Sequence, residues 1–84
     1  MKLKRLLELA SKYGFITNGA AFPGCKIWTW VISREGVSGA IAFTQLCAIS
    51  GIAPGTMQKD FDADVYREYF VIRGTMETAE EATK

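Results

Sequence analysis

Apolar residues recur at three- and four-residue intervals at the start of the chain. Leu3, Leu6, Leu7, Ala10 and Tyr13 share one side of a helix over residues 3–13, with Lys4, Arg5, Glu8 and Lys12 mainly on the other. Gly14 suits the left-handed position that ends such a helix. The helical period then disappears. Residues 15–24 hold Asn18-Gly19 and Pro23-Gly24, both turn signals, and predict a loop or a short irregular hairpin. Residues 26–33, KIWTWVIS, are rich in β-branched and aromatic side chains and bounded by Gly24 and Arg34-Glu35-Gly36, which predicts a strand. Alternation puts Trp28, Trp30 and Ile32 on one face and Ile27, Thr29 and Val31 on the other. Both faces are apolar, so this strand is expected to be covered on both sides.

Residues 37–50 fit two periods. As a strand, Val37, Ile41, Phe43, Cys47 and Ile49 stand out among small residues. As a helix, Ser38 supplies an N-cap, Ala40, Ala42, Leu46 and Ala48 are good formers, and Gly51 is the stop. The segment is long for a strand and ordinary for a helix, so length favours the helix. Residues 53–61 predict a short further helix with Pro54 at its first position. Residues 65–73, VYREYFVIR, predict a second strand, with Arg67, Tyr69 and Arg73 on one face and Tyr66, Phe70 and Ile72 on the other. The expected organisation is one domain over residues 1–75 and a polar, acidic tail over residues 76–84, frayed or unstructured.

The 84 residues fit a single domain with a modest core. Ten basic against nine acidic residues leave a net charge of +1, without the basic excess that dominates phosphate-driven binding. Lys2, Lys4 and Arg5 make the start basic and Glu77, Glu80 and Glu81 make the end acidic, so the body is more basic than the whole. Cys25 and Cys47 fit no zinc spacing, and the chain has no histidine, so no metal or other cofactor is expected. Two reduced, partly buried thiols in a cytosolic protein is the leading reading, and a single structural disulfide is the alternative. Arg5 and Glu8 interrupt the first apolar run as a signal peptide would not, and the apolar stretch over residues 40–53 is too short to span a bilayer. A soluble, cytoplasmic protein is expected.

Within residues 45–61, QLCAISGIAPGTMQKDF, apolar and small residues fall in a telling order. Leu46 and Cys47 lie in the first helix, Gly51 at the turn with Ile52 directly after it, and Met57 six residues past the glycine. The segment resembles the helix-turn-helix of bacterial and phage repressors, in which such residues hold a sharp helix crossing and free the second helix to enter a major groove. The resemblance implies groove-facing positions at Pro54, Gly55, Thr56, Gln58 and Lys59. By it, Gln58 would address an adenine edge, Thr56 a phosphate or base, and Lys59 a phosphate or guanine. A β-ribbon after the motif would complete a winged-helix plan and bring Arg67 and Arg73 toward phosphates.

Other chemistry is thin. Asp60, Asp62 and Asp64 open like a calcium loop, but Val65 and Val71 stand where it needs glycine and glutamate. Trp28 and Trp30 could stack single-stranded bases, though their strand favours core packing. No general base accompanies Ser33, Ser38 or Ser50, residues 36–39 fall short of a nucleophile elbow, and residues 51–55 lack a phosphate loop's lysine. The sequence therefore predicts a compact α+β domain that binds rather than catalyses. It has an N-terminal helix, a helix-turn-helix-like pair and two or three antiparallel strands, an order compatible with a winged helix. The leading function is a small DNA-binding regulator of bacterial or phage type, acting on double-stranded DNA through Thr56, Gln58, Lys59, Arg67 and Arg73. Dimerisation is expected, since one short helix offers few specific contacts. The alternative is a small phage- or plasmid-type protein that inhibits a host protein or defence complex. It would use an aromatic and acidic surface in which Asp60, Asp62 and Asp64 imitate nucleic acid.

Overall fold

The computed structural model describes residues 2–21, 24 and 27–75. The expected acidic tail and any pairing of Cys25 lie outside them. The elements run α1 (Leu3–Lys12), β1 (Ile16–Ala20), β2 (Ile27–Ser33), α2 (Gly39–Ser50), α3 (Pro54–Asp60), β3 (Asp64–Val65) and β4 (Phe70–Thr75). All strand pairs are antiparallel, in the order β1-β2-β4-β3. The described residues thus form an α+β domain with one four-stranded sheet, rather than the two or three strands expected.

The α1 helix buries Leu3, Leu6 and Ala10 and ends at Gly14 (φ 86°). There the Phe15 amide donates to the Ala10 carbonyl (2.9 Å) and the Gly14 amide to that of Ser11 (3.2 Å). These are the two bonds of a Schellman ending, which satisfies carbonyls the helix leaves over and turns Phe15 into the core. The ambiguous segment 37–50 is a helix from Gly39 to Ser50. The Ser38 hydroxyl accepts from the Ile41 amide (3.2 Å) and Gly51 (φ 73°) stops α2, as the length of the segment favoured.

Two strand expectations need correction. Asn18-Gly19 does not turn the chain but lies inside β1, where Gly19 pairs with Trp30. A Cβ there would sit 2.8 Å from the indole Nε1, so glycine makes room for a buried ring rather than for a bend. Residues 65–73 are not one strand but a hairpin, in which Arg67 and Glu68 turn between β3 and β4 and the Tyr66 amide donates to the Tyr69 carbonyl (2.8 Å). No glycine, asparagine or proline marks that turn, and neither turn residue has positive φ. β3 is thus a further strand at one edge of the sheet, with β1 at the other.

The helices cover one face of the sheet. Trp30, Ile32, Phe70 and Ile72 are buried there in cross-strand register, Trp30 with Ile72 and Ile32 with Phe70. Phe43 of α2 meets Phe70 edge-on (5.4 Å, 79°), a geometry worth about 1 kcal/mol beyond its buried area. Contrary to expectation, the opposite face of β2 is not fully covered: Ile27 is 49% exposed, and Thr29 and Val31 are half-buried.

The tightest approach is at Gly39, the first residue of α2. Its amide donates to the Arg67 carbonyl (3.0 Å), and a Cβ would land on the carbonyl oxygens of Tyr66 and Tyr69. Gly39→Ala is expected to lower stability by about 2–3 kcal/mol, because two carbonyls rather than a flexible side chain would have to move. Gly55→Ala meets open space on exposed α3 and is expected to raise stability by about 0.5–1 kcal/mol. Urea midpoints at unchanged slope test both, and equal signs would refute the packing account.

Candidate nucleic-acid interface

The α2 and α3 helices cross at 94° over a three-residue connection, Gly51, Ile52 and Ala53. Gly51 makes the left-handed turn, the Ile52 amide donates to the Cys47 carbonyl (3.1 Å), and the Ile52 side chain packs on the core. Pro54 starts α3 with the fixed φ that suits a first turn, and the Met57 amide donates to the Ala53 carbonyl (2.8 Å). Leu46, Cys47 and Met57 are buried together. Burial pushes the Cys47 thiol pKa up, its own backbone acting weakly the other way, which suits a packing sulfur rather than a nucleophile. Leu46, Cys47, Gly51, Ile52 and Met57 thus hold the α2–α3 crossing together. Just past α3, Phe61 is buried, while Asp60 is exposed.

What α3 leaves outside is equally well defined. Pro54, Gly55, Thr56, Gln58, Lys59 and Asp60 are all exposed. Of the five expected DNA contacts, three are thus gathered on this seven-residue helix: Thr56, Gln58 and Lys59.

Arg67 and Arg73 are not brought to them in the same way. Arg67 lies in the hairpin turn, held against the first turn of α2, whereas α3 leaves from the other end of that helix. Twelve residues of α2 separate the two, about 18 Å of helix axis. Arg73 is committed elsewhere. Its Nη1 donates to the Asp64 carboxylate (2.8 Å) and the Asp62 carbonyl (3.0 Å), with the Asp62 carboxylate 3.9 Å away. The hydrogen bond to Asp64 is the main cause that holds the guanidinium pKa above its ordinary value.

The same contacts bear on the acidic trio. Asp62 and Asp64 share one cation, so of the three carboxylates only Asp60 has no ion-pair partner among the described residues. Asp62 is also the only described non-glycine residue with positive φ (46°). It takes the left-handed place after α3, and the Ala63 amide closes back on the Gln58 carbonyl (3.0 Å). Beside this turn lies a cleft of about 210 Å³ lined by Ile27, Asp62, Arg73 and Gly74, smaller than pockets that enclose a drug-sized ligand.

The tryptophans do not form an open platform. Trp28 and Trp30 stack on each other (5.9 Å, 28°), with Trp30 in the core and Trp28 packed against it. Sequence reasoning passed over Arg34, which binds Gln45 Oε1 (3.0 Å) and the Tyr13 carbonyl (2.7 Å) and lies over the Phe15 ring (4.7 Å). It locks the end of α1 to the middle of α2, a role that no local pattern around Arg34 signals. Among the described residues no single helix is long and apolar enough to cross a membrane, and no acidic or cysteine cluster could hold a metal ion. No protein-family model, curated protein or solved structure matches the chain.

The Arg73 contacts make opposite predictions for its two partners. Arg73→Ala should cost about 1 kcal/mol, a value discounted for the exposure of the carboxylates, with most of it coupled to Asp64 in a double-mutant cycle. Asp62→Gly should instead stabilise by up to about 1 kcal/mol, since glycine takes the left-handed conformation freely and keeps the carbonyl that Arg73 binds. Denaturant titration of Arg73→Ala, Asp64→Ala, Asp62→Gly and the Arg73/Asp64 double variant decides it, and a destabilised Asp62→Gly refutes the account.

Proposed function

We propose that the domain is a small DNA-binding regulator that reads duplex DNA with α3. The observation that carries this reading is the α2–α3 pair itself. Its three-residue turn and near-perpendicular crossing bury Leu46, Cys47, Met57 and Phe61, pack Ile52 against them and leave Thr56, Gln58 and Lys59 exposed. Those side chains suit base and phosphate contacts: an amide for adenine, a hydroxyl, and a cation for phosphate or guanine. In this reading Arg73 does not meet phosphate but fixes the exit of α3, and Arg67 is a flanking contact at the far end of α2. Pairing of Asp62 and Asp64 with Arg73 supports the reading by weakening the negative field beside the helix.

A second reading, a small inhibitor of a host protein or defence complex, draws support from the hairpin. Tyr66 and Tyr69 lie ring to ring (5.1 Å, 31°) and are both well exposed, beside the first turn of α2 where Ile41 is 50% exposed. Aromatic rings of this kind are favoured at protein interfaces. The acidic half of that surface is weakened, because Arg73 offsets one of the two carboxylates of Asp62 and Asp64 and leaves Asp60 unpaired among the described residues.

Binding to selected duplexes at about 50 mM and about 200 mM salt separates the two, because phosphate contacts strengthen as salt falls. The regulator should bind at the lower salt. Gln58→Ala should weaken a specific site by about 1–3 kcal/mol, and Lys59→Ala should reduce the salt slope by about 1. A properly folded chain that binds no duplex at the lower salt overturns the regulator reading.

A further inference from the structure

The two edges of the sheet are built differently. At one end β3 pairs over only two residues and carries Asp64, and a short, charged edge resists further pairing. At the other end β1 offers five residues, ITNGA, with no charge and no proline. Among the described residues no strand pairs with its outer side. Four of its five residues are exposed, including Ile16 at 51%. Natural sheets shield an edge of this length with lysine, proline, a bulge or a covering element. β1 has none of the first two, and its pairing with β2 runs residue for residue without a bulge.

The composition of β1 adds to this. Asn, Gly and Ala are poor strand formers, and a strand made largely of them gains from neighbours on both sides. The neighbour present, β2, accounts for Gly19 through Trp30, but not for the exposed Asn18 and Ala20 or the bare Ile16.

We propose that β1 is the interface between two copies of this chain, which pair antiparallel through their β1 edges to form one eight-stranded sheet. The partner is a second copy because the strand is self-complementary about its midpoint. With the twofold axis at Asn18, Ile16 of each copy lies opposite Ala20 of the other, and Thr17 lies opposite Gly19. Large residues meet small ones, no like charges meet, and every outward amide and carbonyl between residues 16 and 20 gains a partner. The symmetry is isologous, so the assembly closes at two copies instead of growing. On the face away from the helices, the two outer faces join across Ile16 and Asn18. This pairing stands independently of the DNA reading and uses none of its residues.

The test uses the whole chain and charges at the axis. Asn18 is exposed, and Asn18→Lys or Asn18→Asp places two like charges about 5 Å apart across the seam but leaves the monomer core untouched. Sedimentation from about 10 µM to about 500 µM should give a dimer for the unsubstituted chain and a monomer for each variant, with unchanged far-UV circular dichroism. An equimolar mixture of the two variants should dimerise again, because lysine then faces aspartate. That rescue cannot come from simple loss of folding. Three results overturn the proposal: a monomeric unsubstituted chain throughout, a dimer indifferent to both substitutions, or folded monomeric variants that the mixture does not rescue.

Discussion

The close approach of α2 to the β3–β4 hairpin is the constraint on which the arrangement of the domain depends. At Gly39 the backbone of a helix start meets the backbone of a turn, with no side chain between them. The Arg67 carbonyl takes one of the amides that a helix N-terminus leaves without an internal partner, so the contact is a hydrogen bond as well as a packing limit. From there α2 lies across the buried face of β2 and β4, Phe43 reaches Phe70, and Leu46 and Cys47 reach the α3 side. The position of α3 is therefore inherited. Its approach is set at the far end of α2, by the hairpin that follows it in sequence. This also explains why the hairpin is not a projecting wing, since its turn is occupied in holding α2.

Left-handed residues then convert helices into an assembly. Gly14, Gly51 and Asp62 each stand just after a helix, and each is followed by an amide that folds back onto the last turn. Phe15, Ile52 and Ala63 are turned inward by that step, the first and third buried and the second packed against the core. Two of the three positions are glycine, which adopts the conformation freely. The third is aspartate, which does so at a cost of about 1 kcal/mol. It is the one that closes the candidate recognition helix, and it is the one that Arg73 grips. A less favourable residue at the end of the candidate recognition helix, held by a cation, is the pattern expected where surface charge matters as well as stability.

Much of this was legible in the sequence, and the failures have physical causes. Helix periodicity with glycine stops located α1 and α2, and the motif spacing located α3, because those signals are local. The turn at Arg67-Glu68 was invisible because it uses neither glycine nor proline and interrupts a run of β-branched and aromatic residues. What makes it a turn is Gly39, almost thirty residues earlier. Asn18-Gly19 misled in the opposite direction, since the pair that usually bends a chain is here straightened by an indole packed over the glycine. At the candidate site, the exposed residues of α3 followed from the motif alone. The contacts of Arg73 with Asp62 and Asp64 were not legible, because they depend on the register of β3 with β4. Alternation within one segment cannot give that register.

Charge decides how such a surface could bind. Around α3, Lys59 is offset by Asp60, and Arg73 offsets one of the two carboxylates it holds, so the neighbourhood stays slightly negative. A long-range pull on phosphate is therefore weak, and affinity for duplex DNA would have to come from short contacts at base edges, which two helical turns supply sparingly. Doubling the surface is the direct remedy. A second α3 fixed at a constant distance adds its contacts without a second loss of translational freedom, which raises affinity without any added charge. For that benefit the two copies must be joined rigidly, and a continuous sheet is more rigid than a flexible linker. The uncharged, unguarded β1 edge and the nearly neutral α3 surface are in this sense related, because a weak single reading head has most to gain from a firm symmetric joint.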